Sequence, residues 1–282
     1  MRKLWKGMFM TPHLWESVYL AYRAGYDACG AMLLPRGGQG PLHELLEHPE
    51  LWDRVQHAID ETGVFPDGIG NCIIDDPENI HPYGMGTPPD PEALRPYFAF
   101  AGEHHLGGVQ TSIWTDRMDF ACERFAALCD VCADYDLTVN LEFVAWGVCD
   151  TLAKARYILE QVNRPNARIT LDLMHLYYSS VSPAEIEACP PEWFGECHIC
   201  DVPHIVFPRE HKELAVEGRS YRLFPGESGV DLAPWIRAIP ATTLCVPEIP
   251  HKLRTEKWGS FEYACRSLDA CKHYYIINQI PL

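Results

Sequence analysis

The chain has 282 residues, of which 47% are hydrophobic, and a formal net charge of -16. That length and apolar share suffice for one large core, and barrels of this size commonly form a single domain, so one domain over residues 1–282 is expected. The charge excludes nucleic acid and anionic membrane surfaces as expected partners, because both select a basic face.

The chain alternates strand-like and helix-like segments. Residues 3–10 read as a strand, 14–24 as a helix, 28–34 as a strand and 41–62 as a helix. A strand over 66–74, a helix over 91–105, a strand over 108–114 and a helix over 118–136 follow. The second half continues with strand 138–144, helix 151–162, strand 168–173, helix 183–188, strand 195–199, helix 232–239, strand 243–249 and helix 258–273. Eight such units joined by crossovers imply parallel strands, and the expected fold is an α/β (β/α)8 TIM barrel. A doubly wound sheet would carry a Gly-rich phosphate turn after its first strand, and Phe9-Met10-Thr11-Pro12-His13 offers none. Gly37-Gly38-Gln39-Gly40 is a turn signal only. Two connections are long, 75–90 and 201–231, and long barrel loops tend to carry function.

Trp5, His13 and Glu16 interrupt the first twenty residues, and no later run reaches the roughly 18 apolar residues of a membrane helix. A cytoplasmic protein is the default expectation. The twelve cysteines are scattered and read as reduced, buried thiols. Cys129-Asp130-Val131-Cys132 falls in a helical pattern, while Cys197 and Cys200 on one strand would face opposite sides and not share a zinc.

Four short apolar runs each contain one group suited to a divalent metal: Leu141-Glu142-Phe143, Leu171-Asp172-Leu173, Cys197-His198-Ile199 and Pro247-Glu248-Ile249. Burying a bare carboxylate costs several kcal/mol, so each must be paired, hydrogen-bonded or bound to a metal. Their separations of 30, 26 and 50 residues match successive barrel units of roughly 30 residues, with one long connection. All four lie late in their strands, at the barrel rim where catalytic groups gather. Three oxygen ligands and one imidazole suit one ion of Mg²⁺, Mn²⁺, Co²⁺ or Zn²⁺, with positions left for substrate oxygens. Arg222 precedes a Pro225-Gly226 turn, and its planar fork suits a carboxylate, phosphate or vicinal hydroxyl pair. Nearby Arg209, Lys212 and Arg219 are offset by Glu210, Glu213 and Glu217 and read as a solvated mixed-charge loop. His13, His81 and Trp114 face the same rim and are weaker substrate-binding candidates, each with an equal structural reading. Trp114 and Trp146 either wall a sugar ring or pack against a helix.

The second half resembles the xylose isomerase-like TIM-barrel superfamily, the sugar phosphate isomerase/epimerase group that also contains endonuclease IV. The resemblance rests on Asn140-Leu141-Glu142, Leu171-Asp172-Leu173-Met174-His175, Glu196-Cys197-His198-Ile199-Cys200-Asp201, Arg222-Leu223-Phe224-Pro225-Gly226-Glu227 and Pro247-Glu248-Ile249. It implies that Glu142, Asp172, His198 and Glu248 bind the metal, that His175 and Arg222 contact substrate oxygens, and that Glu142 and Glu248 also act as acid and base. Keto-sugar 3-epimerases of the group carry another glutamate about six residues after the first ligand, where this chain has Val148 and Cys149, with Asp150 nearby. Endonuclease IV-like enzymes carry more histidines, around three zinc ions, than this acidic chain offers. The connection from His198 to Arg222 is longer than expected for the family and is a candidate specificity lid. The expected activity is a metal-dependent isomerase or epimerase of a small ketose, sugar acid or keto-polyol. The alternatives are a dehydratase of a keto-inositol or dehydroshikimate-like substrate, and a catalytically silent sugar-binding barrel. A homo-oligomer is common in such families.

Overall fold

The computed structural model describes residues 3–9, 11–31, 34, 41–82, 90–202, 208 and 212–282. Among these, eight parallel strands alternate with helices. In chain order they are β1 (Lys6–Gly7), α1 (Leu14–Ala24), β2 (Ala28–Gly30), α2 (Pro41–Glu47), α3 (Trp52–Thr62), β3 (Phe65–Asp67), α4 (Arg95–Glu103), β4 (Val109–Thr111), α5 (Met118–Ala133), β5 (Val139–Glu142), α6 (Leu152–Val162) and β6 (Ala167–Asp172). They continue with α7 (Leu173–Tyr178), α8 (Pro183–Glu187), β7 (Phe194–Ile199), α9 (Lys212–Ser220), α10 (Ala233–Ala238), β8 (Leu244–Pro247), α11 (Lys252–Trp258) and α12 (Ser260–Ile277).

The strands pair in sequence order, β1-β2-β3 in one sheet and β4-β5-β6-β7-β8 in the other. Isolated parallel bridges link the sheets on both sides: Trp5 with Cys245, and Asn71 and Ile74 with Gln110 and Ile113. The result is a TIM-barrel-like α/β fold. Helix faces supply the apolar seal; Leu14, Val18 and Ala21 of α1, for example, are buried at helical spacing. One contiguous hydrophobic cluster runs from Trp5 to Ile280, and a smaller one joins Ile73, Trp114 and Val144, with Trp146 packed against it. Among the described residues, no helix is long and apolar enough to cross a membrane.

Several elements differ from the sequence reading for local reasons. The expected strand over 66–74 is interrupted at Gly68 and Gly70, both with positive φ, and its pairing resumes only at Asn71 and Ile74. The expected helix over 41–62 breaks at Pro49, which opens a short 3-10 turn. Three helices were not expected: α7, α9 and α11. The mixed-charge stretch after β7 folds from Lys212 as α9, burying Leu214, Ala215 and Gly218. The last expected helix, 258–273, is α12, which starts at Ser260 because Gly259, with φ 78°, divides it from α11. The Gly37–Gly40 turn signal, Arg209 and Glu210 lie outside the described residues.

Strand periodicity positions the site. Side chains of a strand alternate between faces, so on β5 Val139 and Leu141 share one face while Asn140 and Glu142 share the other. The register sets Thr170 beside Glu196 and Asp172 beside His198. Asn140, Glu142, Glu196 and His198 line one cavity of about 120 Å³ together with Lys6, Gln110 and Glu248. The inward face of the second sheet is therefore polar, in two layers, instead of filled with the branched apolar residues usual in such barrels.

Candidate metal centre

Each ligand candidate is delivered by a strand end. Asp172 closes β6 and is also the N-cap of α7: its Oδ1 accepts from the backbone N–H of Met174 (2.8 Å) and His175 (3.2 Å). That leaves Oδ2 facing inward, 2.5 Å from Arg222 Nη1 and 3.6 Å from His198 Nδ1. His198 Nδ1 also lies 3.1 Å from Glu142 Oε1 and 3.2 Å from Glu248 Oε2. One ligand atom from each of Glu142, Asp172, His198 and Glu248 falls within 4.8 Å of all the others.

Arg222 completes the cluster. Its Nε donates to the Gly218 carbonyl (2.6 Å), and Nη1 lies 2.8 Å from Glu248 Oε2 as well as against Asp172. The turn that presents it is tied down by Asp201 at the end of β7, which accepts from Gly226 N (2.9 Å), Ser228 N (3.1 Å) and Ser228 Oγ (2.5 Å). Gly218 allows the close approach of α9, since a Cβ there would overlap the Trp146 ring. Trp146 in turn contacts the edge of His175, with ring centroids 4.8 Å apart.

The electrostatics favour a positive charge at the centre. Burial disfavours ionised Asp172, but the Arg222 guanidinium, His175 and His198 outweigh it and hold the carboxyl well below its usual range. Burial likewise opposes a charged His198, yet Glu248 and Glu142 push it well above the ordinary imidazole value. His175 is shifted down, chiefly by burial. Its Nδ1 accepts from the Ala145 N–H at 3.4 Å, so its remaining proton sits on Nε2, 4.0 Å from Glu142 Oε1.

The donor set fits a divalent ion. One proton on His198 Nδ1 cannot satisfy three converging carboxylates, and Glu248 Oε2 is a buried atom without a hydrogen bond of acceptable angle, despite the nearby Arg222. Three hard oxygens and one imidazole are what Mg²⁺, Mn²⁺, Co²⁺ or Zn²⁺ accept.

Of the residues singled out in the sequence, six come together: Glu142, Asp172, His198, Glu248, His175 and Arg222. Arg222 Nη1 lies against the carboxylates of Asp172 and Glu248, both candidate ligands, where the sequence pointed to substrate oxygens. His13 instead pairs with Glu44 (2.8 Å) and stacks on Trp15. His81 and Trp114 face each other at 5.3 Å, and Trp114 donates to Ser112 Oγ. All twelve cysteines are free, ten of them buried. Sequence reasoning missed the layer beneath the centre, Lys6, Asp67, Gln110, Asn140 and Glu196. Its signal was the two-residue spacing that places Asn140 under Glu142 and Glu196 under His198.

A family model described as xylose isomerase-like TIM barrel matches residues 95–263. Among solved structures, the chain is similar to the IolI protein with a bound zinc atom (16% identity, 97% of this chain and 98% of that one covered, TM-score 0.70). It is also similar to 3-keto-D-glucoside 4-epimerase YcjR from E. coli (16%, 96% and 100%, TM-score 0.65). A third likeness is to the probable 3-DHS dehydratase AsbF from Bacillus anthracis (15%, 95% and 98%, TM-score 0.63). No curated protein matches the chain.

Proposed function

The chain belongs to the xylose isomerase-like TIM-barrel family, and from that premise we propose a divalent-metal-dependent isomerase or epimerase of a small ketose, sugar acid or keto-polyol. In this reading residues 1–282 form one closed (β/α)8 barrel domain, supported by the sheet-linking bridges and the continuous hydrophobic cluster. The observation that carries the proposal is the convergence of four ligand atoms from four strand ends.

Glu142, Asp172, His198 and Glu248 hold the ion, which when bound supplies Lewis acidity toward a substrate carbonyl and its neighbouring hydroxyl. Glu142 and Glu248 reach the cluster from β5 and from the end of β8, so one removes the proton beside the carbonyl and the other returns it. Return to the adjacent carbon gives an isomer; return to the opposite face of the same carbon gives an epimer. Arg222 keeps Asp172 and Glu248 ionised and oriented. His175 directs its Nε2 proton toward a substrate oxygen, and Trp146 fixes the imidazole ring.

A dehydratase is the second reading, because removal of the same proton followed by loss of a β-hydroxyl needs the same residues. It gains weight from the departure at Val148 and Cys149, where the only nearby carboxylate, Asp150, is turned to Lys154 at 2.8 Å. Incubating Mn²⁺-loaded protein with candidate ketones in D₂O and following exchange, new stereoisomers or water loss by NMR separates these activities. Glu142→Gln and Glu248→Gln should each abolish exchange; exchange surviving both changes overturns the assignment.

A further inference from the structure

Beneath the metal centre lies a charged group that the proposed chemistry does not use. Lys6 projects from β1 into the interior, where its Nζ pairs with Asp67 Oδ2 at 3.0 Å and, more closely, with Glu196 Oε1. Gly68 leaves room for it: a Cβ there would stand 3.2 Å from Nζ. The other carboxylate oxygen of Glu196, Oε2, lies 3.6 Å from Nε2 of His198. We propose that Glu196, anchored by Lys6, is a positioning residue that sets the tautomer and ring orientation of His198. The inference rests on the reading of His198 as a metal ligand.

A neutral imidazole carries one N–H. Nδ1 is the nitrogen that faces Glu142, Asp172 and Glu248, so ligation requires a lone pair there and the proton on Nε2. Glu196 is the acceptor on that side, and a shift of a few tenths of an ångström closes the hydrogen bond. Lys6 performs two tasks. It pins one oxygen of Glu196 so that the other stays under the imidazole, and it offsets a fourth carboxylate that would otherwise add negative charge below the centre. Such outer partners of a ligating histidine typically change metal affinity by about 10–100-fold. A plain core ion pair would instead affect stability alone, and replacing it with apolar residues of similar size is often neutral.

Full-length protein is titrated with Mn²⁺ and the free ion followed by EPR, for wild type, Glu196→Gln and the double variant Lys6→Met/Glu196→Leu. Both variants should bind Mn²⁺ about 10–100-fold more weakly, while metal-free Glu196→Gln, which keeps the Lys6–Asp67 pair, melts close to wild type. In ¹⁵N-histidine NMR of Zn²⁺-loaded wild type, His198 should carry its proton on Nε2. A folded variant with wild-type Mn²⁺ affinity overturns the proposal, as does a wild-type His198 that coordinates through Nε2. If neither variant folds, the NMR result decides. Wild type that binds neither Mn²⁺ nor Zn²⁺ removes the metal reading itself, whereas wild-type binding with unaffected variants removes only the role of Glu196.

Discussion

Two layers of side chains share the interior, one above the other, and they are charged alike but balanced differently. In the lower layer Asp67 and Glu196 close around Lys6, and the protein supplies its own counter-charge. In the upper layer Glu142, Asp172 and Glu248 have the Arg222 guanidinium and, with no ion bound, the proton they draw onto His198 to offset them, and a ligating imidazole gives that proton up. Burial makes an unbalanced set costly, so the upper layer persists where something positive enters from outside. The difference separates a self-contained charge cluster from a candidate binding site, although carboxylates and a buried cation build both.

The sharpest way to break this contrast is Asp172→Asn. The change removes a proposed ligand and weakens the pairing of buried Arg222, so metal binding should vanish and the metal-free fold should lose about 3 kcal/mol, the range for breaking a buried pair. Urea denaturation and Mn²⁺ titration check both; a variant of wild-type stability would show that Glu248 alone satisfies the buried Arg222. Next in size, metal at a hundred times its dissociation constant should stabilise the wild type by about 2.7 kcal/mol. Thermal melts should rise accordingly and fall back with EDTA, and an unchanged melt would place the upper layer with the lower. Gly218→Ala should cost about 1–3 kcal/mol by overpacking against Trp146, and should weaken Mn²⁺ binding because α9 carries the carbonyl that holds Arg222. The smallest effect belongs to a surface pair outside both layers. Asp130 bonds Arg164 at 2.6 and 3.0 Å, which holds its carboxyl below the usual range. Its contribution is present above the ordinary carboxylate value and is lost as pH falls through the lowered one. Asp130→Asn should cost under about 1 kcal/mol and remove only that small acid-side slope from the stability-pH curve.

The upper layer was legible in the sequence because each candidate ligand stands alone in an apolar strand, where a charge has few other uses. The lower layer was not. Lys6 falls within the strand read over 3–10 with nothing to mark it as facing inward, and Glu196 and Asn140 acquire meaning only once the inward face is known. Pattern also fails where one residue serves two elements. Asp172 ends β6 and caps α7, leaving no connecting segment to announce the helix. In α9 the buried face is only Leu214, Ala215 and Gly218, too slight to stand out among Lys212, Glu213, Glu217 and Arg219. The alternation of elements was read correctly because it depends on long apolar periodicities, whereas their ends depend on single glycines and prolines such as Gly68, Pro49 and Gly259.

The double duty of Asp172 gives the chain a built-in gauge. The same carboxylate that faces the centre through Oδ2 restrains the amides of Met174 and His175 through Oδ1. Any ligand that steadies it slows solvent deuteration at those two amides, so the filling of the pocket can be timed from the backbone, before the identity of the substrate is known.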